Sequence, residues 1–345
     1  MYEDYYGLAA RPFQLSPDPG FMYHSRVHKR AQAYLEYGLY QGEGFIVITG
    51  EVGAGKTILV RNLLAHLNPE QIVAAHLVSS QLDADDLLRA VAAAFGVPIA
   101  GADKAVLLAD IEKLLRRIAA EKKQALLIVD EAQNLTPRAV EELRMLSNFQ
   151  LGGKALLQSF LVGQPELRTI LQGQEMQQFR QRVIASYHLG PLDRQDMQGY
   201  IEHRLKQVRW TGNPQITAGG YDALFAFTAG IPRRINLVCN RLLLAGYLNE
   251  KRTLDVADVE AVAGELRDEL GVIGNQGGAS AHAASSPGGG SEGASEAGNE
   301  TGASAGTTDV SALSHRVAQL EAALGQLHGA LKGVLKAIEP PSQQR

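Results

Sequence analysis

The sequence predicts an α/β fold in which a five-stranded parallel sheet is flanked by helices and followed by a small helical domain. Between residues 45 and 186, short apolar runs alternate with helical patterns, which is typical of parallel strands connected by helices. From residue 193 to residue 270 the strand pattern stops and apolar residues recur at helical spacing. A glycine-rich segment also joins the first apolar run directly to a helical pattern.

The elements of this fold can be placed along the chain from their apolar patterns. The candidate strands are residues 45–49, 72–78, 125–129, 156–162 and 187–189. The candidate helices of the second domain are residues 193–209, 217–228, 233–250 and 255–270. These patterns predict an N-terminal segment, an α/β domain and a helical domain at residues 1–44, 45–191 and 192–270.

The last part of the chain has a different composition. Residues 271–308 consist almost entirely of Gly, Ala, Ser, Asn, Glu and Thr and contain no aromatic residue. They cannot bury enough apolar surface to fold, so we predict a flexible linker. In residues 309–338, apolar side chains recur with alternating steps of three and four, which predicts a coiled-coil helix. Because glycines weaken this helix, we expect it to order when it binds a partner helix.

Composition argues against some classes of function. The formal net charge of −4 argues against a dedicated nucleic-acid surface, because phosphate binding normally requires an excess of basic residues. The sequence has no run of about 18 apolar residues, so no membrane-spanning helix is expected. The acidic and aromatic start at residues 1–6 does not fit a secretory signal. We therefore expect a cytoplasmic protein that can reach the inner membrane through partners.

The strongest motif is a phosphate-binding loop. The segment from Gly50 to Thr57 matches the P-loop pattern G-x-x-x-x-G-K-T and lies between an apolar strand and a helix. Its glycines let backbone N–H groups point at phosphate oxygens. Lys56 is expected to reach the β- and γ-phosphates of ATP, and the Thr57 hydroxyl to bind Mg²⁺. The predicted nucleotide-binding residues are Gly50, Glu51, Val52, Gly53, Ala54, Gly55, Lys56, Thr57 and Ile58.

Hydrolysis also requires carboxylates near the phosphates. A buried-strand pattern ends in two adjacent acids, Asp130 and Glu131. We predict that Asp130 holds Mg²⁺ through water and that Glu131 orients and deprotonates the attacking water. Acids at strand ends also occur simply as helix caps, so this assignment depends on the P-loop. Gln164, after the next strand, is the candidate for a hydrogen bond to the attacking water or the γ-phosphate, and an exposed turn residue is the alternative.

Two pairs of arginines could stabilise charge on the transferred phosphate. Arg180 and Arg182 precede the last strand, and Arg233 and Arg234 begin a helix of the second domain. An arginine that acts on the γ-phosphate can raise turnover by a factor of about 10³ to 10⁵. The helix dipole disfavours an arginine at a helix start, which favours a functional role for Arg233. Surface salt bridges remain the alternative for each arginine.

Together these motifs resemble those of the AAA+ ATPases related to general secretion pathway protein A, over residues 1–270. Within that family the sequence is most similar to the ATPases associated with exosortase/PEP-CTERM and exopolysaccharide systems. The motifs are Tyr5-Tyr6-Gly7-Leu8, Arg11-Pro12-Phe13, Pro17-Asp18-Pro19, Ala33-Tyr34-Leu35-Glu36-Tyr37-Gly38, Gln41-Gly42-Glu43-Gly44-Phe45, Ile48 to Thr57, Asp130-Glu131-Ala132-Gln133-Asn134-Leu135, Gly163-Gln164-Pro165-Glu166-Leu167 and Gly230-Ile231-Pro232-Arg233-Arg234-Ile235-Asn236.

The resemblance implies that ATP binds between an α/β domain and a helical lid, in an oligomer whose neighbouring subunit supplies an arginine. In those terms Gln164 is the sensor 1 residue and Arg233 the sensor 2 residue. Arg182, with Arg180 as second choice, is the implied arginine finger. Residues 13–23 are implied to line the adenine pocket. Secretion-type members continue into a transmembrane helix and a peptidoglycan-binding region, whereas this sequence continues into the linker and heptad patterns, which favours the polysaccharide branch.

The leading functional hypothesis is an ATP-hydrolysing motor or switch that supports envelope export, specifically exopolysaccharide secretion. Its C-terminal coiled coil is expected to dock a protein partner of the export complex. One alternative is a DNA-associated AAA+ ATPase of the transposition or replication type, which predicts salt-sensitive DNA binding. Two others are a type II secretion assembly ATPase and a nucleotide-gated scaffold with slow turnover.

Overall fold

The computed structural model describes residues 1–14, 19–79 and 81–270. The predicted linker at residues 271–308 and the predicted coiled-coil helix at residues 309–338 lie outside the described residues. None of the helices in the described part of the chain combines the length and the apolar character that a membrane span requires.

The core of the first domain is a five-stranded parallel sheet, which confirms the predicted fold class. The strands are β1 (Phe45–Gly50), β2 (Ile72–Val78), β3 (Gln124–Asp130), β4 (Leu157–Gly163) and β5 (Val183–Leu189). Their order across the sheet is β2-β3-β4-β1-β5. Because the strands are parallel, their carboxyl ends lie at the same edge, and this edge carries Gly50, Asp130 and Gly163.

The last strand is longer than the sequence predicts. The apolar pattern indicates residues 187–189, whereas β5 begins at Val183, which pairs with Phe45 of β1. β5 is an edge strand, and the side chains of Ser186 and His188 are exposed. A strand that is buried on both faces is recognised by a continuous run of apolar residues. These two polar residues interrupt such a run.

Helices cover both faces of the sheet. The helices of the first 190 residues are α1 (Tyr2–Tyr6), α2 (Arg26–Gln41), α3 (Lys56–His66), α4 (Ala84–Ala94), α5 (Lys104–Ala120), α6 (Pro137–Leu146), α7 (Glu166–Gln172) and α8 (Gln177–Arg180). α2 and α3 pack against alternate side chains of the strands, such as Ile46 and Ile48. α4 to α8 pack against the other face, which includes Val47 and Leu127. The sheet is therefore the middle layer of three.

Side chains at the helix starts explain where several of these helices begin. Asp83 accepts hydrogen bonds from two backbone N–H groups in the first turn of α4. Asp103 and Thr136 each accept one, at the starts of α5 and α6. Such caps satisfy backbone donors that have no partner inside the helix, and each contributes about 1 kcal/mol.

The second domain is helical. Its helices are α9 (Arg194–Gln207), α10 (Ala218–Thr228), α11 (Pro232–Leu248) and α12 (Val256–Leu270). Two short strands, Gln215–Ile216 and Thr253–Leu254, pair in parallel beside them. α1 packs into this helical core, where the hydroxyl of Tyr6 donates to the carbonyl of Lys251 at 3.1 Å. The first 44 residues therefore divide between the two domains, because α2 covers the sheet.

Candidate functional site

The phosphate loop follows β1 at the carboxyl edge of the sheet and leads into α3. Gly53 and Gly55 adopt left-handed backbone conformations with φ of 81° and 103°, which other residues adopt only with strain. A Cβ atom on Gly53 would lie 2.3 Å from the Cβ atom of Arg233. Both glycines are therefore required. Arg233 lies on α11 of the helical second domain, which we call the lid, so the lid approaches the loop backbone at Gly53.

Lys56 is buried at the centre of the loop. Its ammonium donates to the carbonyls of Gly50 at 2.7 Å and Glu51 at 3.0 Å. Burial lowers the pKa of Lys56, and the nearby carboxylates of Glu131 and Asp130 oppose this effect. The loop therefore holds a cation between its own carbonyls and two acids, next to backbone N–H groups that can donate hydrogen bonds to a phosphate.

Thr57 and Asp130 bring hard oxygen ligands together. The Thr57 hydroxyl donates to the Asp130 carboxylate at 3.0 Å, although the two residues are 73 positions apart in the chain. Hydroxyl and carboxylate oxygens suit Mg²⁺, which usually takes few protein ligands and completes its shell with phosphate oxygens and waters. The residues present therefore fit Mg²⁺ bound together with a nucleotide. In the described residues, no group of three or more His, Cys, Asp or Glu side chains could hold a metal alone.

Glu131 lies immediately after β3 and is held in an unusual conformation. Its φ of 54° is in the left-handed region, which a non-glycine residue adopts at a cost of about 1–3 kcal/mol. Its backbone N–H donates to Asp130 Oδ1 at 3.0 Å. Its Oε2 accepts from Gln133 Nε2 at 2.6 Å and from Gln164 Nε2 at 3.3 Å. The structure thus brings Glu131 and Gln164 together at the edge where the P-loop lies.

Gln133 is a residue to which sequence reasoning assigned no role. Its amide nitrogen donates to Glu131, and its amide oxygen accepts from the backbone N–H of Gln164 at 2.9 Å. A Cβ atom on Gly163 would lie 2.8 Å from that amide oxygen, so the glycine makes room for it. The position is part of the Asp-Glu-Ala-Gln run that begins at the last residue of β3, but only the fold shows that its side chain bridges the ends of β3 and β4.

Replacing Gln133 with alanine should lower ATP turnover by about 10- to 100-fold, because the bond that orients a charged group is lost. Nucleotide affinity should stay within about twofold, since Gln133 does not line the cavity described below. The measurement is steady-state hydrolysis together with the Kd of a non-hydrolysable ATP analogue. Gln32→Ala is the matched control, because Gln32 donates to Glu36 on an exposed helix face. Wild-type turnover in Gln133→Ala would exclude this positioning role.

The lid supplies the second wall of a cavity of about 330 Å³ beside the loop. Residues from both domains line it: Gln14, Val52, Gly53, Gly55, Lys56, Thr57, Ile58, Glu131, Gln164, Tyr200, Arg204, Pro232, Arg233 and Asn236. The backbone N–H of Arg233 donates to the carbonyl of Gly53 at 3.2 Å. Of the predicted adenine segment, Gln14 reaches this cavity.

The structure does not bring Arg180 and Arg182 to this cavity. The carbonyl of Arg182 accepts from the N–H of Phe45, at the amino end of β1. The P-loop follows the carboxyl end of the same six-residue strand, which is about 20 Å long. The guanidinium of Arg180 donates to the carbonyls of Leu171 and Gly173. Both arginines therefore lie at the end of the sheet where β1 begins, whereas the P-loop of their own chain lies at the end where β1 finishes.

His28, on α2, packs against the phosphate loop at Gly55. It is a second residue whose role was not predicted from the sequence. It is 5% exposed, its Nδ1 lies 2.7 Å from the Ser25 hydroxyl, and its ring hydrogen-bonds to the backbone of Ala54. A Cβ atom on Gly55 would lie 2.7 Å from its Nε2. Burial lowers the pKa of His28 to about 4, against the opposing effect of its bond to Ala54. α2 thus fixes the loop through a neutral imidazole.

The stability of the protein should therefore depend on the protonation of His28. Above about pH 6.5 the ring is neutral in both the folded and the unfolded chain. Between about pH 6.5 and pH 4 the unfolded chain binds a proton that the folded chain does not. The free energy of unfolding should accordingly fall by up to about 3 kcal/mol as pH drops through this window.

Urea unfolding of wild type and His28→Gln at pH 7 and pH 4.5 isolates this contribution, because glutamine does not titrate. The stability advantage of wild type over the variant should shrink at the lower pH. Parallel changes in the two proteins would contradict the assignment.

The sheet, the loop and the carboxylates at one edge define an α/β P-loop NTPase fold. Residues 39–171 match a family model described as an AAA domain. General secretion pathway protein A of Aeromonas hydrophila is 40% identical over 274 residues, which are 78% of this chain and 50% of that protein. This chain thus spans about half the length of the curated relative that it matches.

Two solved structures illustrate the similarity of fold. The ADP form of the Aeropyrum pernix ORC2 protein has a TM-score of 0.54 and 17% identity, over 76% of this chain and 74% of that one. Cdc6p of Pyrobaculum aerophilum has a TM-score of 0.57 and 15% identity, over 72% of this chain and 71% of that one. At these identities the similarity shows the fold.

Proposed function

We propose that this chain binds ATP with Mg²⁺ and hydrolyses it, and that the cycle drives a motor or switch in envelope export. The observation that carries the enzymatic part is the group formed by Lys56, Thr57, Asp130, Glu131 and Gln164. Asp130, Glu131 and Gln164 lie at or directly after the ends of β3 and β4, and Lys56 and Thr57 begin α3, after the loop that follows the neighbouring strand β1. A cation, two hard oxygen ligands, a carboxylate base and an amide are what phosphoryl transfer to water requires.

In this mechanism the loop backbone and Lys56 bind the phosphates. Thr57 and Asp130 would hold Mg²⁺, which would supply positive charge to neutralise the phosphate oxygens. Glu131 accepts the proton of the attacking water, and Gln164 orients that water or the γ-phosphate. Gln133 and Gln164 both donate to Oε2 of Glu131, so the carboxylate is held beside the cavity before any water is activated. Arg233 approaches the phosphates from the lid.

The export role rests on the curated relative. General secretion pathway protein A is 40% identical over a segment that covers most of the described residues. The finer assignment, an exopolysaccharide system of the exosortase/PEP-CTERM type, rests on the sequence motifs. We propose that the coiled coil predicted at residues 309–338 binds a protein partner of that system. Removal of residues 309–338 should abolish partner capture and leave ATP hydrolysis within about twofold, because the residues that line the cavity all lie before residue 240. Equal capture with and without the segment would contradict this placement.

The position of Arg182 supports an oligomeric enzyme. Arg182 cannot reach the P-loop of its own chain, because the length of β1 separates them. Its guanidinium donates to the Ser147 hydroxyl at 2.7 Å and also bonds to Asn148, so it is held in place at the surface. A neighbouring subunit that packs this surface against the open side of the cavity would bring Arg182 to the γ-phosphate. In this arrangement Arg182 is the arginine finger, with Arg180 as second choice.

A subunit-mixing experiment tests the proposed function. Arg182→Ala and Glu131→Gln should each hydrolyse ATP at least about 100-fold more slowly than wild type. Mixing them should give more ATP hydrolysis than the sum of the two separate samples. The reason is that some interfaces then combine an intact Glu131 with an intact Arg182. A mixture of Lys56→Ala and Glu131→Gln is the matched control. It should show no gain, because every site in the mixture lacks either Lys56 or Glu131. No gain in the first mixture would exclude a finger acting between subunits.

A further inference from the structure

Arg204, on the lid helix α9, is a buried arginine that has no acidic partner among the described residues. It is 5% exposed, and its Nη1 donates to the Tyr200 hydroxyl at 2.7 Å. Its Nη2 donates to the carbonyl of Gln14 at the longer distance of 3.4 Å. Its Nε is buried and has no hydrogen-bond partner among the residues that the structure describes. In the described part of the chain its partners are thus neutral oxygens, although a buried guanidinium usually pairs with a carboxylate.

The side chain is held in place by aromatic and polar contacts. Its guanidinium carbon lies 5.0 Å from the ring centroid of Phe21 and 5.6 Å from that of Tyr200. The Tyr200 hydroxyl in turn donates to Asn236 Oδ1 on α11 at 2.8 Å. A chain of two hydrogen bonds therefore links Arg204 to the helix that carries Arg233. A guanidinium has five N–H donors, so these contacts leave donors for a ligand.

The location of Arg204 indicates which part of a nucleotide it meets. Arg204, Tyr200 and Gln14 line the same cavity as the P-loop. The phosphates must lie at the loop and at Lys56, and the attacked phosphate must point toward Glu131 and Gln164. The wall formed by Gln14, Ile58, Tyr200 and Arg204 is then left for the base and ribose.

We infer that Arg204 binds the nucleoside half of the nucleotide and determines affinity for it, by donating a hydrogen bond to a ring nitrogen or ribose oxygen. This inference rests on the proposed function, because it requires ATP in the cavity. The contact reaches from the lid to the nucleoside, and Arg204 also bonds to the N-terminal segment at Gln14. Bound nucleoside therefore ties together the lid, the N-terminal segment and the α/β domain.

Binding of ATP and of inorganic tripolyphosphate, each with Mg²⁺, separates a nucleoside contact from a phosphate contact. In Arg204→Gln the Kd for ATP should rise by about 10- to 100-fold, because a hydrogen bond from a charged donor is lost. The Kd for tripolyphosphate should stay within about twofold. Arg204→Lys should also weaken ATP binding, because lysine lacks the planar guanidinium group with its several N–H donors. If Arg204→Gln does not fold, Arg204→Lys replaces it in the same two measurements.

Arg194→Gln is the matched control, because Arg194 lies on the same helix and bonds to Asp222 at the surface. It should leave both affinities unchanged. Equal weakening of ATP and tripolyphosphate, or no change in either, would overturn the assignment of Arg204. Failure of wild type to bind ATP, with tripolyphosphate still bound, would instead overturn the proposed function.

Discussion

Lys56→Ala should abolish measurable ATP hydrolysis and weaken ATP binding by about 100-fold or more. Lys56 is 5% exposed, and its ammonium lies beside the P-loop carbonyls of Gly50 and Glu51. Alanine removes the only positive side chain within the loop, so the phosphate charge loses its strongest partner. Isothermal titration with an ATP analogue and a phosphate-release assay measure the two effects.

Lys206→Ala is the control for this variant. Lys206 pairs with Glu202 on an exposed helix face, where ion pairs contribute little. It should bind and hydrolyse ATP like wild type. Hydrolysis by Lys56→Ala at the wild-type rate would show that the chemistry takes place elsewhere or not at all in this chain.

Glu131→Gln should separate binding from chemistry. Glutamine has nearly the same shape as glutamate, so ATP affinity should stay within a few fold. Turnover should fall by about 10²- to 10⁴-fold, because the amide cannot accept the proton of the attacking water. The measurement is kcat together with the Kd of ATP, and Glu70→Gln, in the exposed loop before β2, is the control. Unchanged turnover in Glu131→Gln would exclude Glu131 as the base.

The parts of the site that could be predicted from the sequence are those set by local patterns. The P-loop is contiguous, and its glycines, lysine and threonine occupy fixed offsets between a strand and a helix. Asp130 and Glu131 follow a continuous apolar run that is recognisable as a buried strand. The parallel sheet then brings the two motifs to one edge, where Thr57 and Asp130 meet.

The parts that could not be predicted depend on tertiary contacts. Gln133 bridges two strands, His28 lies beneath a loop that follows it by more than twenty residues, and Arg204 comes from the lid. His28 and Arg204 belong to no local pattern that separates them from surface residues, and the motif that contains Gln133 does not indicate what its side chain contacts. The start of β5 was missed because an edge strand tolerates polar residues such as Ser186.

The most direct test of the account is the identity of the nucleotide that stays bound after incubation with ATP and Mg²⁺. We expect wild type to contain ADP and Glu131→Gln to contain intact ATP, because the P-loop binds the nucleotide in both proteins and the base is missing in one. Chromatography of the nucleotide released from each desalted protein gives the answer. Intact ATP in wild type would contradict the central claim that this site hydrolyses ATP, and ADP in place of ATP in Glu131→Gln would contradict the role of Glu131 as the base.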